Sequence, residues 1–265
     1  MELSGKLAII TGASRGIGRA LARELAGCGC GLLLTALEGD ELASITDELR
    51  TSPVSVAAMA ADLSEPGGLR SVIRWILERD EGPDILVNNA GMGGRFGRFE
   101  GQDLDGIEKT IDLNISALVR LTHEMIPVLK RKPSAKIVNI SSGISRLPYP
   151  GLAIYGATKA FVSSFSESLS CELADTSIDV LCFHPGFTMT PFISTSRMDL
   201  RKIPSRFLYT PESMASRLVQ AIRKDKQWVY SDFTTRSLAG IGALLPSRLR
   251  TMLFKDLFWR LSNEM

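Results

Sequence analysis

The chain has 265 residues, 45% hydrophobic and 23% charged, enough for one large α/β domain with its own core. Its 31 basic and 29 acidic residues leave a formal charge of +2, so no global field draws it toward nucleic acid, and no nucleic-acid partner is expected. Cys28, Cys30, Cys171 and Cys182 sit in apolar surroundings, and only Cys28 and Cys30 are close in sequence, with no histidine or third cysteine near that pair, which predicts reduced, buried thiols in a cytoplasmic protein and no metal site.

Met1 to Lys6 leads straight into an apolar strand pattern, without the basic segment, apolar block and small-residue cleavage site of an export signal. Lys6 to Thr11 is a short apolar run, Gly12 to Gly18 a glycine-rich turn, and Arg19 to Ala26 a helical period. Glycines at 12, 16 and 18 let the backbone turn tightly and approach a pyrophosphate, which then meets the positive end of the following helix. The spacing G-x-x-x-G-x-G differs from the commoner G-x-G-x-x-G fingerprint but answers the same physical demand. Glycine-rich turns also close ordinary loops.

Further strands are expected at 31–36, 54–59, 84–88, 135–141, 178–183 and 228–231. Helices are expected at 41–50, 65–79, 103–131, from the loop ending at Gly151 to about Ala174, and at 211–224. Pro127 should kink the 103–131 helix or mark its fraying end, and Asn114 is a polar residue in mid-helix that needs a partner. Nearly uniform apolar strands alternating with helices predict a parallel sheet of about seven strands covered on both faces, a single doubly wound α/β domain with its ligand at the carboxyl ends of the strands.

Tyr155-Gly156-Ala157-Thr158-Lys159 sets a phenol and an ammonium on one face of a helix, four residues apart. A cation held that close favours the phenolate and should lower the tyrosine pKa, making Tyr155 a candidate general acid/base. A pair of this spacing also decorates many helices to no purpose, so the rest of the chain must decide.

Thr11-Gly12-x-x-x-Gly16-x-Gly18, Asn88-Asn89-Ala90-Gly91, Asn114, Ser142, Tyr155-x-x-x-Lys159 and Pro185-Gly186, in this order, resemble the short-chain dehydrogenase/reductase family in its branch of about 250 residues, over residues 5 to 230. The resemblance implies a Rossmann-type domain and catalytic roles for Asn114, Ser142, Tyr155 and Lys159. Ser142 would bond the substrate oxygen and Tyr155 would give or take its proton. Lys159 would depress the Tyr155 pKa and hold the nicotinamide ribose, and Asn114 would anchor a water linking Lys159 to solvent. Ser141 is then a strand-end hydroxyl. The implied cofactor residues are Gly12, Ser14, Arg15, Gly16, Ile17, Gly18, Asp62, Leu63, Asn89, Ala90, Gly91, Tyr155, Lys159, Pro185, Gly186, Thr188 and Thr190. Hydride would pass directly between nicotinamide and substrate carbon. His184 precedes the Pro-Gly turn at a strand end, where a structural role is expected, and His123 should be packing or surface.

Relatives that prefer NAD usually carry an acid at the end of the second strand, where this chain has Ala36. Arg15 resembles the basic residue that many NADP-dependent relatives aim at the 2′-phosphate, although Leu37 and Glu38 stand where a second arginine is common. NADP is the expected cofactor, with NAD possible. The pocket should be formed by Met92, Ile144, Leu147, Tyr149, Met189, Phe192 and the segment to Tyr209, an apolar set that predicts a hydrophobic alcohol or ketone, lipid-, steroid- or acyl-like, with Ser142, Ile144, Tyr155 and Met189 touching the substrate. A cofactor-binding sensor or scaffold without turnover is the alternative, against which stand Ser142, Tyr155, Lys159 and Asn114 together. A homodimer or homotetramer through the 103 and 155 helices is implied by the resemblance.

Residues 1–232 read as the cofactor-binding and catalytic domain and 233–265 as a helical extension, with Leu249, Met252, Leu253, Leu257 and Leu261 on one side and Arg248, Arg250, Lys255 and Arg260 nearby. The extension could cover the pocket, pack on a second subunit or lie on a membrane surface; its longest uncharged run, Ser237 to Ser247, is far short of the roughly 20 residues that span a bilayer.

Overall fold

The computed structural model describes residues 1–191 and 205–261. The chain alternates β1 (Leu7–Thr11), α1 (Gly16–Gly27), β2 (Gly31–Ala36), α2 (Gly39–Leu49), β3 (Val56–Ala60), α3 (Pro66–Leu77) and β4 (Ile85–Asn88). It continues with α4 (Leu104–Ile111), α5 (Leu118–Leu129), β5 (Ala135–Ile140), α6 (Ala153–Glu172), β6 (Ile178–His184), α7 (Pro211–Arg223), β7 (Trp228–Tyr230), α8 (Phe233–Leu244) and α9 (Ser247–Leu261). All seven strands are parallel in the order β3-β2-β1-β4-β5-β6-β7. The order reverses between β1 and β4, which opens the crevice where doubly wound sheets bind ligands.

The pleat explains why the strands read as unbroken apolar runs. Ala8 and Ile10, Leu32 and Leu34, Ile85 and Val87, and Leu181 and Phe183 point into a core with Leu21 and Leu25 of α1, Ile45 of α2 and Met214, Leu218 and Ile222 of α7. Their neighbours Ile9, Leu33, Leu86, Ile137 and Val180 point the other way, onto Val72 and Ile76 of α3, Leu121 and Met125 of α5 and Leu169 of α6. The five central strands thus bury both faces, while the edge strands β3 and β7 are only partly covered.

Several boundaries differ from the sequence expectation. α1 begins at Gly16, three residues early, because the glycine turn itself winds into the helix. β3 begins at Val56 instead of 54. The helix expected over 103–131 is broken: a π-helical turn over Asp112–Ala117 separates α4 from α5, and Asn114 lies within it. Insertions of this kind are common at functional sites. Pro127 sits inside the last turn of α5, where its missing N–H removes one hydrogen bond two residues before the helix ends. The extension forms two helices, since Leu245 before Pro246 is extended (ψ 136°), as a residue preceding proline prefers.

The hydrophobic patterning gave no hint of Lys136, a fully buried lysine on β5. Its ammonium pairs with Asp225 at 2.8 Å and Asp179 at 3.3 Å, so the buried charge is compensated at the amino end of the sheet, far from the crevice. Cys30 and Cys182 are buried as expected, and burial pushes both thiols up to about 12, but Cys171 is exposed.

Candidate active site

The turn after β1 is locked to the turn after β4. Thr11 Oγ1 accepts hydrogen bonds from the backbone N–H of Asn89 (3.0 Å) and Ala90 (2.9 Å), while the Asn89 amide donates to the carbonyls of Thr11 (2.8 Å) and Gly12 (3.0 Å). The fit requires glycine: Gly12 has φ +65°, and a Cβ there would lie 2.9 Å from Ala90 Cα. A Cβ on Gly18 would collide with the Gly12 carbonyl. Asn89 and Ala90, expected at the cofactor, therefore also build the cradle itself. Arg15, the residue before α1, is extended and makes no side-chain cap, which leaves the first N–H groups of α1 facing the cradle.

Beside the cradle, Arg15 pairs with Glu38 at 2.6 Å, and the same carboxylate accepts a hydrogen bond from Ser14 Oγ at 3.0 Å. Asp62 turns its carboxylate on Ser64, accepting from its N–H (2.9 Å) and hydroxyl (2.6 Å). Leu63, expected at the cofactor, has its side chain in the core with Leu69, Val72 and Ile76 of α3. Ile17 also packs partly on the core.

The expected catalytic residues converge at the end of β5. Ser142 follows that strand and hydrogen-bonds Tyr155 of α6. Ser141 Oγ is occupied by the Lys159 carbonyl (2.9 Å) and Ser163 Oγ (2.8 Å), the strand-end role expected of it. Lys159 donates its ammonium to the Ile140 carbonyl at 2.9 Å and lies 5.8 Å from the centre of the Tyr155 ring. Asn114 accepts from the Met92 N–H (2.9 Å) and donates to the Met92 carbonyl (2.9 Å) and Thr158 Oγ1 (3.0 Å), whose hydroxyl donates to the Tyr155 carbonyl (2.8 Å). The amide expected to anchor a water thus ties the loop after β4 to α6.

The electrostatics correct one expectation. Lys159 was to lower the Tyr155 pKa; instead burial dominates and lifts the phenol to about 12, with the Ser142 hydrogen bond pulling the other way. Burial also lowers Lys159 to about 8. With protein alone around it, Tyr155 is a protonated acid at neutral pH.

The loop after β6 closes the site from the other side. Gly186 N–H donates to Ser231 Oγ (2.8 Å), Thr188 Oγ1 donates to the Gly186 carbonyl (3.0 Å), and Met189 and Tyr209 pair through their backbones. Thr190 packs on Gly16, joining Pro185–Thr190 to the glycine turn. His184 is wholly buried, bonded to Ser163 (3.1 Å), stacked on Tyr230 (4.5 Å) and tilted against Trp228 (4.7 Å); burial lowers its pKa to about 4, so it is a neutral structural ring, as expected. His123 lies on the surface. No group of three or more metal-ligating side chains occurs among the described residues.

A cavity of about 570 Å³ opens at Tyr155. Its lining departs from the expected set. Met92 and Tyr155 are there, but the rest comes from the loop 93–103, α4 and the start of α6, including Arg95, Asp103, Ile107, Leu152 and Ile154. Ile144 and Tyr149 pack with Phe96, Leu152, Tyr155 and Phe187 as an apolar wall behind it. Leu147 lies against Gly242 of α8, Met189 is exposed, and Phe192 with the segment to 204 lies outside the described residues. Ile154 and Leu152 flank Tyr155 in sequence and could have been found from it; Arg95 and Ile107 carry no motif.

The model of the short chain dehydrogenase family matches residues 6–201. The chain is 37% identical over 187 residues to sulfoacetaldehyde reductase 2 of Chromohalobacter salexigens, covering 70% of this chain and 74% of that one. Among solved structures it resembles a short-chain dehydrogenase from Sphingobium yanoikuyae in complex with NADPH, with a TM-score of 0.82, 33% identity and 95% of each chain covered. It also resembles the bulky-bulky ketone specific alcohol dehydrogenase of Comamonas testosteroni, with a TM-score of 0.76, 26% identity, and 98% of this chain and 96% of that one covered. The chain belongs to the short-chain dehydrogenase family and is an NAD(P)-dependent oxidoreductase that interconverts alcohols and carbonyls.

Proposed function

We propose that the protein reduces a hydrophobic ketone or aldehyde, or oxidises the matching alcohol, with NADP(H) as hydride carrier and Tyr155 as the proton donor or acceptor. The observation that carries this reading is that Ser142 hydrogen-bonds Tyr155 and Lys159 lies against its ring, while Tyr155 itself lines the cavity. The cradle fits a dinucleotide because Gly12 and Gly18 let the turn after β1 close tightly against Asn89 and Ala90, leaving the uncapped first turn of α1 to meet a pyrophosphate. Gly12 to Gly18, Asn89 to Gly91 and Pro185 to Thr190 would hold it, with Arg15 toward the 2′-phosphate. The nicotinamide supplies or accepts the hydride at the substrate carbon.

In the reducing direction Ser142 Oγ donates to the carbonyl oxygen and fixes it beside Tyr155. As that oxygen gains negative charge, the Tyr155 hydroxyl gives it a proton. The resulting phenolate is stabilised by the ammonium of Lys159, which is charged below about pH 8. Asn114 positions α6 by holding Thr158, one turn from Tyr155 and next to Lys159. In oxidation the same groups act in reverse.

Ile107, Leu152 and Ile154 in the cavity lining support a hydrophobic substrate, as does the likeness to a bulky-ketone dehydrogenase. A second reading, a small anionic aldehyde, is favoured by Arg95 at the cavity edge and by the sulfoacetaldehyde reductase likeness. The test is NADPH oxidation against graded apolar ketones and short anionic aldehydes, with Tyr155→Phe as control. Preference for the ketones supports the first reading, preference for the aldehydes replaces it with the second, and tight NADPH binding without turnover on either set favours a sensor. The exposed Leu104 and Ile111 of α4 and Phe161 of α6 support self-association through these helices, which light scattering of the full chain would test.

A further inference from the structure

We infer that the outer face of α8 and α9 seats on an anionic lipid surface, the two helices lying in the interface. α8 is fixed from within: Asp232 caps it through Thr235 (2.8 Å), Ala239 is buried, and Gly242 lies against Leu147. Its other face is turned out. Phe233 and Leu244 are 82% and 87% exposed, and Ile241 falls on the same arc at helical spacing. Across the Pro246 turn, Leu249, Met252 and Leu253 continue the apolar surface on α9, and the Arg250 guanidinium donates to the Gly242 carbonyl, joining the two helices.

Charge decides what covers this surface. Residues 233–261 hold five basic side chains (Arg236, Arg248, Arg250, Lys255, Arg260) and one acid, Asp256, in a chain whose net charge is only +2. Arg236, Arg248 and Lys255 are exposed beside the apolar side chains. A second copy meeting this face about a two-fold axis would bring its own basic rim against this one, a like-charge juxtaposition that interfaces avoid. An anionic bilayer instead accepts the apolar side chains below the headgroups and attracts the rim. No helix among the described residues is long and apolar enough to cross a membrane, which fits a helix pair lying on the bilayer.

The test is co-sedimentation of the full chain with phosphatidylcholine vesicles, with and without phosphatidylserine, at low and high salt. Wild type should bind the phosphatidylserine vesicles at least about tenfold more tightly, with the advantage lost at high salt. Arg248→Glu with Lys255→Glu should weaken binding by roughly fivefold or more per residue. Phe233→Ser with Leu244→Ser should weaken it about tenfold or more, with thermal stability unchanged, since both side chains are already in water. No binding by wild type, equal binding to both vesicles, or unaltered binding by the serine variant would overturn the inference. Loss of a dimer in the serine variant without any vesicle binding by wild type would overturn it in favour of a second copy.

Discussion

Glu38→Gln should shift the cofactor preference strongly toward NADP. In the protein alone Arg15 is held by Glu38 at 2.6 Å, with the two side chains 45% and 31% exposed. A pair so open to water contributes at most about 1 kcal/mol, so breaking it to free the guanidinium costs about that much. A 2′-phosphate bound by Arg15 would then stand roughly 6 Å from the Glu38 carboxylate, and repulsion screened by water adds about 1 kcal/mol. Removing the charge should lift both penalties and tighten NADPH by about 1–2 kcal/mol, roughly 5- to 30-fold in Kd. NADH brings a hydroxyl that Glu38 can accept, so its Kd should stay level or rise. Titrating both cofactors into wild type and variant by nucleotide fluorescence reads the two constants directly, and the gain should shrink as salt is raised. A change in the NADPH-to-NADH ratio of less than about twofold, or a shift toward NADH, would refute the reasoning.

Tyr155→Phe should lower kcat/KM by about 10²- to 10⁴-fold while the NADPH Kd stays within about twofold, which steady-state kinetics and a binding titration would show together. Reductive kcat/KM should fall as pH rises through about 8, because Lys159 loses the proton that supports the phenolate; a profile flat from neutrality into the alkaline range would contradict this assignment. Gly18→Ala forces a methyl into the Gly12 carbonyl, and should cost roughly 1–3 kcal/mol of stability and weaken NADPH with it, as measured by denaturant unfolding and titration. Asp225 is held below its usual pKa, chiefly by its hydrogen bond from Lys136, so its stabilising effect is complete above the unfolded carboxylate value near ~3.9 and is lost as pH falls through the folded one. In Asp225→Asn that part of the acid limb of Tm against pH should vanish.

The fold and the catalytic group were largely legible because they rest on local rules. Strands buried on both faces must be apolar throughout, and a glycine turn between strand and helix has few other uses. Tyr155 and Lys159 stand out because helix period sets them on one face, and Ser142 through the family resemblance. What escaped depends on long-range packing. Lys136 sits in a strand that reads as core, and only the fold brings Asp225, in a turn 89 residues away, to its ammonium. Ala36 ends β2 without an acid, yet Glu38 folds back on Ser14 and Arg15 from the start of α2. The π-helical turn at Asn114 has no signature in hydrophobic period, and the cavity lining comes from the loop 93–103, whose path no local rule sets.

Asp232 stands where a sequence reader divides the chain, yet no mechanical division lies there. Its carboxylate takes hydrogen bonds from Thr235 of α8 and from Ser231, and Ser231 in turn holds the Gly186 N–H at the floor of the active site. Thr235 also presses on Gly143, next to the serine that holds the substrate oxygen in the proposed reaction. The last helices therefore work as a wedge under two active-site loops, and a pull on them is transmitted to Gly186 through two side chains. Trimming the chain at 232 would loosen the reaction centre along with the tail, so the surface of α8 and α9 has to be altered side chain by side chain for its role to be separated from turnover.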